Sequence, residues 1–383
     1  MPIEAAVLFR IPARLPFMPR FGLILVLAGF VSLLRLAPPM ARAEELSEKQ
    51  REVVRRGLEW LKKQQFRDGH WEASGGQFAT AMTGLAGTAF LMEGSTIKEG
   101  KYSEVIRRAV DYCFQHSQHS GLIGEINAPN QGLGYLYGHG YSMLFLAHVY
   151  GEEDDADRRR KLEDLLNRAV DFSCKSQTTR GGWGYVSAKD GNDFDEGSVS
   201  ITQVQALRAC RNAGIVVPKE AIDKVQKYLK DCTTTNGGLI YSLASGYGGG
   251  ERPTITVAGI ASMFSAGEYN NPLAKKWLAY VRPVVPVDTV GQDQFGHSEY
   301  THYYYAQVIY CLGEDGYAKM FPDSKPSERL TWSKYRKHFY EFLSKSQLPE
   351  GNWRGVPIGP VYTACCYLTI LQLEKGALPI YQR

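Results

Sequence analysis

The stretch RGLEWLKKQQFRDGHW, Arg56 to Trp71, opens as an amphipathic helix and closes in a turn that a helix end alone does not require. Leu58, Leu61 and Trp60 make an apolar stripe at helical spacing, and Gln65, Gly69 and Trp71 follow at offsets that acquire meaning only if they recur. They do recur. RAVDFSCKSQTTRGGW, Arg168 to Trp183, carries Phe172, Gln177, Gly181 and Trp183 at the same spacing, and FYEFLSKSQLPEGNW carries Phe342, Gln347, Gly351 and Trp353.

Weaker copies fill the gaps. One keeps Tyr112 and Gly121 but has Ser117 at the glutamine position and Ile123 at the tryptophan position, and another has Tyr228, Thr233, Gly237 and Leu239. A fifth starts near Trp277-Leu278, passes a loop with Pro283 and Pro286, and reaches Gln294-Phe295. Measured at the tryptophan position, the copies fall at 71, 123, 183, 239, 295 and 353, so one unit is repeated six times.

Each unit has a second half. An apolar, small-residue-rich segment follows every turn, at 80–94, 139–152, 197–214, 254–268, 300–314 and 359–374. The first helix of a unit is charged on one side, as Glu52, Arg55, Arg56 and Glu59 illustrate, whereas the second is apolar nearly all round. That contrast predicts half-solvated outer helices around buried inner ones. Period-two alternation never lasts, and short pieces such as 237–241 fall where inter-helix loops belong. The expected fold is all-α, a single α/α toroid of six helix pairs in an inner and an outer ring, closed so that it needs no end caps.

The first 43 residues read differently. Arg10, Arg14 and Arg20 precede the apolar run 21–34, and Ala41-Arg42-Ala43 offers small residues at a cleavage site, so 1–43 is expected to be a signal peptide and 44–383 the exported toroid domain, periplasmic or extracellular. The apolar run is too short to span a bilayer, and membrane association is expected only if the segment stays uncleaved. The chain of 383 residues is 44% hydrophobic and 22% charged, a globular composition with a formal charge of only +4, and it has no basic block with interleaved aromatics, so no nucleic-acid partner is expected. Its seven cysteines form no CxxC pair and read as buried small side chains.

The pattern from Arg56 to Trp71 resembles the QW repeat of the squalene and terpene cyclases, related to the internal repeats of protein prenyltransferase β subunits. The resemblance spans about residues 50 to 374. It implies that Gln65, Gln177 and Gln347 join helix ends to their neighbours, with Gly69, Gly181 and Gly351 in the turns and Trp71, Trp183 and Trp353 packed over them. It also implies two chemistries to look for. Cyclases of this kind use an Asp-x-Asp-Asp motif whose middle Asp protonates an alkene, and Asn192-Asp193-Phe-Asp195-Glu196-Gly-Ser198 is similar, with Asp195 as acid and Asp193 and Glu196 tuning it. Glu replaces the last Asp, and Asp195, Glu196 or Ser198 can instead cap the helix beginning near Val199. Prenyltransferases carry an Asp-x-Cys pair and a distant His for zinc. The only match, Asp111-Tyr-Cys113, falls on an outer helix, and His139, His297 and His302 have no ligand spacing, so no metal or cofactor is expected.

Aromatic residues point to a cavity. Tyr300, Tyr303, Tyr304 and Gln307 share one helical face, and Tyr137 and Tyr141 flank His139, so these faces are expected to bind an apolar or amphipathic small molecule in the central hole. The main functional expectation is an exported repeat protein that binds an isoprenoid-type ligand, with acid-initiated cyclisation as its specific enzymatic form. A non-catalytic toroid holding a cell-envelope protein or glycan, and a glycan-cleaving α/α barrel with two facing carboxylates, are the alternatives.

Overall fold

A computed structural model describes residues 46–126, 134–244, 249–288, 290, 296–355 and 357–382. The expected signal peptide and the turn at Gln294-Phe295 lie outside the described residues. The outer helices are α1 (Glu48–Lys63), α3 (Ser103–Gln115), α5 (Ala156–Ser176), α7 (Lys219–Asp231), α9 (Pro272–Val284) and α12 (Trp332–Ser346). Alternating with them are the inner helices α2 (Ala79–Met92), α4 (Leu136–Glu152), α6 (Gly197–Asn212), α8 (Pro253–Ser265), α10 (Ser298–Leu312) and α13 (Pro360–Gln372), and a short α11 (Gly316–Met320) precedes α12. Among the described residues there is no strand, only isolated bridges at turns such as Thr233 with Leu239.

Local chemistry starts and stops these helices. Ser47 accepts from the Gln50 amide N–H while the Gln50 side chain accepts from that of Ser47, a reciprocal cap for α1. Helix α1 then buries Val53, Val54, Gly57, Leu58 and Leu61 and leaves its charged face in water. Helix α2 is buried on all sides from Thr80 to Met92. Its Gly84 lies so close to α4 that a Cβ there would come within 2.5 Å of the Tyr141 carbonyl carbon.

Each inner helix packs on the next, α2 on α4, α4 on α6, and so on to α13, which returns to α2. The ring is closed without a covalent link. At the seam the Gln347 amide donates to the Val53 carbonyl at 2.9 Å, the Arg56 guanidinium to the Leu348 and Pro349 carbonyls at 2.7 Å, and the Gln372 amide to the Ala89 carbonyl at 3.0 Å.

The repeated turn has one construction. Gln65, Gln177 and Gln347 each donate to the glycine carbonyl four residues on, at 2.9, 2.8 and 2.8 Å, and to a carbonyl of the next outer helix, that of Val105, Ala221 or Val53. The buried indoles of Trp71, Trp183 and Trp353 donate to the carbonyls of Leu61, Ser173 and Leu343 at the ends of their own outer helices. Gly69, Gly181 and Gly351 have φ near +100°, and a Cβ on any of them would run into the backbone carbonyl of the next outer helix, 2.1 to 2.5 Å away. No disulfide joins the seven cysteines.

Candidate functional site: a tyrosine-walled cavity

The first turns of the inner helices surround a cavity of about 580 Å³. Phe78, Ala81 and Met82 of the α2 start, Tyr137 and Tyr141 of α4, Ile255 of α8, Tyr300 of α10 and Tyr362 of α13 supply most of its wall, with Tyr185 and Tyr241 from the turns. Because every unit runs outer helix, turn, inner helix, the described turns gather at this end. Toward the other end the phenols close it off: Tyr141 meets Tyr304 hydroxyl to hydroxyl at 3.3 Å, and Tyr303 meets Tyr381 of the C-terminal segment at 3.0 Å.

Of the expected ligand-binding residues, Tyr141 and Tyr300 line this cavity. Tyr303, Tyr304 and Gln307 do not. They share the inward face of α10 but lie a turn or two deeper, where Gln307 pairs with Gln205 at 2.6 Å and borders a small recess with Tyr381. His139 turns outward. Its Nδ1 accepts from the Ile123 N–H at 3.1 Å and its Nε2 faces the Ala169 carbonyl at 3.2 Å, and burial lowers its pKa to about 4, so it stays neutral and holds α4 to its neighbours.

The three acidic residues part company. Asp193, in a left-handed conformation with φ +56°, accepts from the Thr179 N–H at 2.8 Å and from its hydroxyl. Asp195 is fully buried but is not part of the cavity wall: it accepts from Arg180 Nε, from Ser242 Oγ at 3.1 Å and from the Leu243 N–H at 2.8 Å. Both therefore lock the third turn to its neighbouring loop. Glu196 takes the cap of α6, accepting from the N–H groups of Val199 at 2.6 Å and Ser198 at 2.9 Å.

Glu196 also stands one layer behind the cavity wall. Ser198 Oγ donates to its carboxyl group at 2.6 Å, and that oxygen is bonded to the Tyr137 hydroxyl inside the cavity. On its other side Tyr241, whose hydroxyl bonds that of Tyr185, helps hold the Glu196 pKa down. Burial raises the Glu196 pKa to about 7 against the opposing pull of the Ser198, Val199 and Tyr241 donors. A buried carboxyl group with a raised pKa is thus connected to the cavity through Ser198 and Tyr137.

Tyr185 and Tyr241 were not among the expected site residues, although both lie two positions after the tryptophan position of their units, at Trp183 and Leu239. The rim is more polar. Arg252, Glu251 and His297 border the opening, and a separate cleft of about 250 Å³ beside it holds Asp68, His70, Glu72, His116 and Glu125. In that cleft His70 bonds Asp68 at 2.6 Å and Glu72 at 3.2 Å, and His116 bonds Glu125 at 2.8 Å. Among the described residues no His, Cys, Asp and Glu side chains converge in a way that could hold a metal ion.

No protein-family model and no curated protein matches the sequence. The fold does have solved counterparts. The type II terpene cyclase MstE from Scytonema, in its apo form, is similar with a TM-score of 0.55 and 12% identity over 86% of this chain and 99% of that one. An inactive variant of the GH76A alpha-1,6-mannanase of Salegentibacter sp. HEL1_6, in complex with alpha-1,6-mannotriose, gives 0.57 and 9% over the same shares. A protein from Actinoplanes gives 0.53 and 12%. At such identities the likeness establishes the α/α toroid and nothing finer.

Proposed function

We propose that this toroid binds an apolar, isoprenoid-type ligand in its tyrosine-walled cavity and that Glu196, rather than Asp195, is the proton source for acid-initiated cyclisation there. The observation carrying this is the fully buried Glu196 carboxyl, its pKa raised by burial to about 7, linked through Ser198 to Tyr137 in a largely apolar wall. A cavity of about 580 Å³ falls in the range of roughly 300–1,000 Å³ typical of small-molecule sites. In the proposed step the hydroxyl chain turns round, so that Glu196 gives its proton to Ser198 Oγ, Ser198 gives its own to the Tyr137 hydroxyl, and Tyr137 gives its own to an alkene carbon. The alkene π bond breaks as the C–H bond forms, a second alkene π bond attacks the carbocation to close the ring, and a C–H bond beside the final cation breaks to return the proton, so no cofactor is consumed. MstE has been solved with geranylgeranyl dihydroxybenzoate as substrate, and that protein has the same ring architecture.

The mannanase shares the architecture equally well, so glycan cleavage is the rival reading. It needs two carboxylates facing each other across a groove. Among the described lining residues the cavity offers one, Glu251, which accepts from Thr234 Oγ1 at 2.7 Å, and those of the side cleft are occupied by His70 and His116. The apolar ligand is therefore favoured. The folded part is proposed to be exported after cleavage at Ala43, which N-terminal sequencing of the mature protein tests.

The deciding experiment incubates the protein with membrane lipid extract and identifies bound or altered hydrocarbons by mass spectrometry. Wild type is expected to carry or convert an isoprenoid and Glu196→Gln to bind it without conversion. Neither binding nor conversion would abandon this reading in favour of a non-catalytic envelope partner, and conversion of mannan oligosaccharides would favour the rival.

A further inference from the structure

The far end of the ring hole is filled by the segment that follows α13. The backbone turns at Gly376, in the left-handed region with φ +59°, and Pro379–Tyr381 form one turn of 3-10 helix packed on α6. Leu378 and Tyr381 are buried there. Above this segment the floor of the cavity is made of phenols. Helices α4 and α10 stand opposite each other in the ring of inner helices, so the Tyr141–Tyr304 contact at 3.3 Å spans the hole. Tyr303 lies edge-on to Tyr304 with ring centroids 4.8 Å apart, and its own hydroxyl meets that of Tyr381 at 3.0 Å. A neutral hydroxyl pair is a weak tie. What keeps the floor in place is the lack of space behind it: Tyr303 and Tyr304 are fully buried, and Tyr381 backs Tyr303. The hole continues beneath, where Gln205, Gln307 and Tyr310 border a recess beside Tyr381.

We infer that Tyr381 is a specificity-determining residue: the segment after α13 is the stop that fixes how deep an apolar chain enters, and so the longest isoprenoid that the cavity accepts. This deepens the isoprenoid reading and rests on it. With the Tyr381 side chain shortened, the Tyr303 ring gains space to swing into and the floor drops. The gain then falls on long chains alone, because a ligand too short to reach Tyr141 and Tyr304 meets the same wall in either case.

The test is a fluorescence or calorimetric titration of the full mature chain with geraniol, farnesol, geranylgeraniol, geranylfarnesol and hexaprenol. Wild-type affinity is expected to rise with each added isoprene unit up to a limit and then to fall. For the first alcohol past that limit, Tyr381→Ala should bind at least about tenfold tighter than wild type, roughly what burying two further methylenes supplies, with the shorter alcohols unchanged. Tyr381→Phe keeps the ring and loses the hydroxyl, and it should keep the wild-type limit. Unchanged binding of the short alcohols also reports correct folding, and Tyr381→Leu takes the place of Tyr381→Ala if the smaller residue fails that check. No limit in wild type, a limit that stays at the same length in the shortened variants, or a gain shared equally by short and long alcohols overturns the stop alone. Failure of every alcohol to bind wild type overturns the isoprenoid reading and this inference together.

Discussion

At the residue scale the decisive contrast is between Asp195 and Glu196, neighbours in sequence with opposite surroundings. Arg180 and two further donors engage the buried Asp195 carboxyl group, and removing its charge takes one of two acidic partners from the partly exposed Arg180. Asp195→Asn is therefore expected to destabilise the fold by about 1–2 kcal/mol without a selective effect on the chemistry, read as a lowered denaturation midpoint. Glu196 behaves the other way. Its folded pKa near 7 lies above the ordinary value of 4.5, so the folded state retains a proton that the unfolded state releases, and stability is lost as pH rises between those values. Relative to wild type, Glu196→Gln should gain stability from pH 4.5 to 7, by up to about 3 kcal/mol in urea titrations. A difference independent of pH would place the proton elsewhere. Turnover by wild type should fall above about pH 7, because the step needs the protonated form.

At the element scale the glutamine turn does two jobs with one amide: it closes its own turn and grips the next outer helix. Gln177→Ala abandons the bonds to the Gly181 and Ala221 carbonyls and is expected to cost about 1–3 kcal/mol. Gly181→Ala should cost more, since a Cβ at φ +95° also meets the Lys224 carbonyl at 2.4 Å. Thermal denaturation of the two variants, ranked in that order, checks both. The weaker copies follow the same path by other means. Thr234 and Gln118 donate their N–H groups to the carbonyls of Gly238 and Leu122, as Phe66, Thr178 and Leu348 do in the full copies, and at the fourth turn Trp277 of the next outer helix donates to Thr233 Oγ1 at 3.0 Å. The short hydroxyl side chain leaves space that a tryptophan from the following unit fills.

At the scale of the whole molecule, ring closure depends on the first and last helices meeting. Gln347, Arg56 and Gly57 carry that seam, and Gly57 leaves room for the Trp353 ring, 3.2 Å from where a Cβ would lie. Gln347→Ala is expected to lower stability as Gln177→Ala does, but with faster amide exchange confined at first to α1 and α12, because those helices lack a covalent neighbour on that side. Uniform acceleration around the ring would argue against a seam. The parallel inner helices also point their N-termini at the cavity, a field that disfavours a cation at the opening and fades within a turn. A carbocation would accordingly form beneath the first turn, near Tyr141 and Tyr300.

The sequence alone determined the ring. Helical periodicity is local, and the glutamine, glycine and tryptophan offsets describe a turn built almost wholly within one unit and its next neighbour, so six copies dictate a repeating helix pair and its inner and outer faces. It also determined which face of α10 and α4 turns inward at Tyr300 and Tyr141. Depth, partner and protonation were decided only in the folded ring. Tyr303, Tyr304 and Gln307 show the inward pattern but lie below the cavity, because helical spacing encodes direction around an axis and not height along a neighbour. Asp195 and Glu196 are adjacent letters whose roles diverged because Arg180 reaches one and the tyrosines of other units surround the other. A pKa depends on burial and on charges brought together from distant segments, which no local pattern contains.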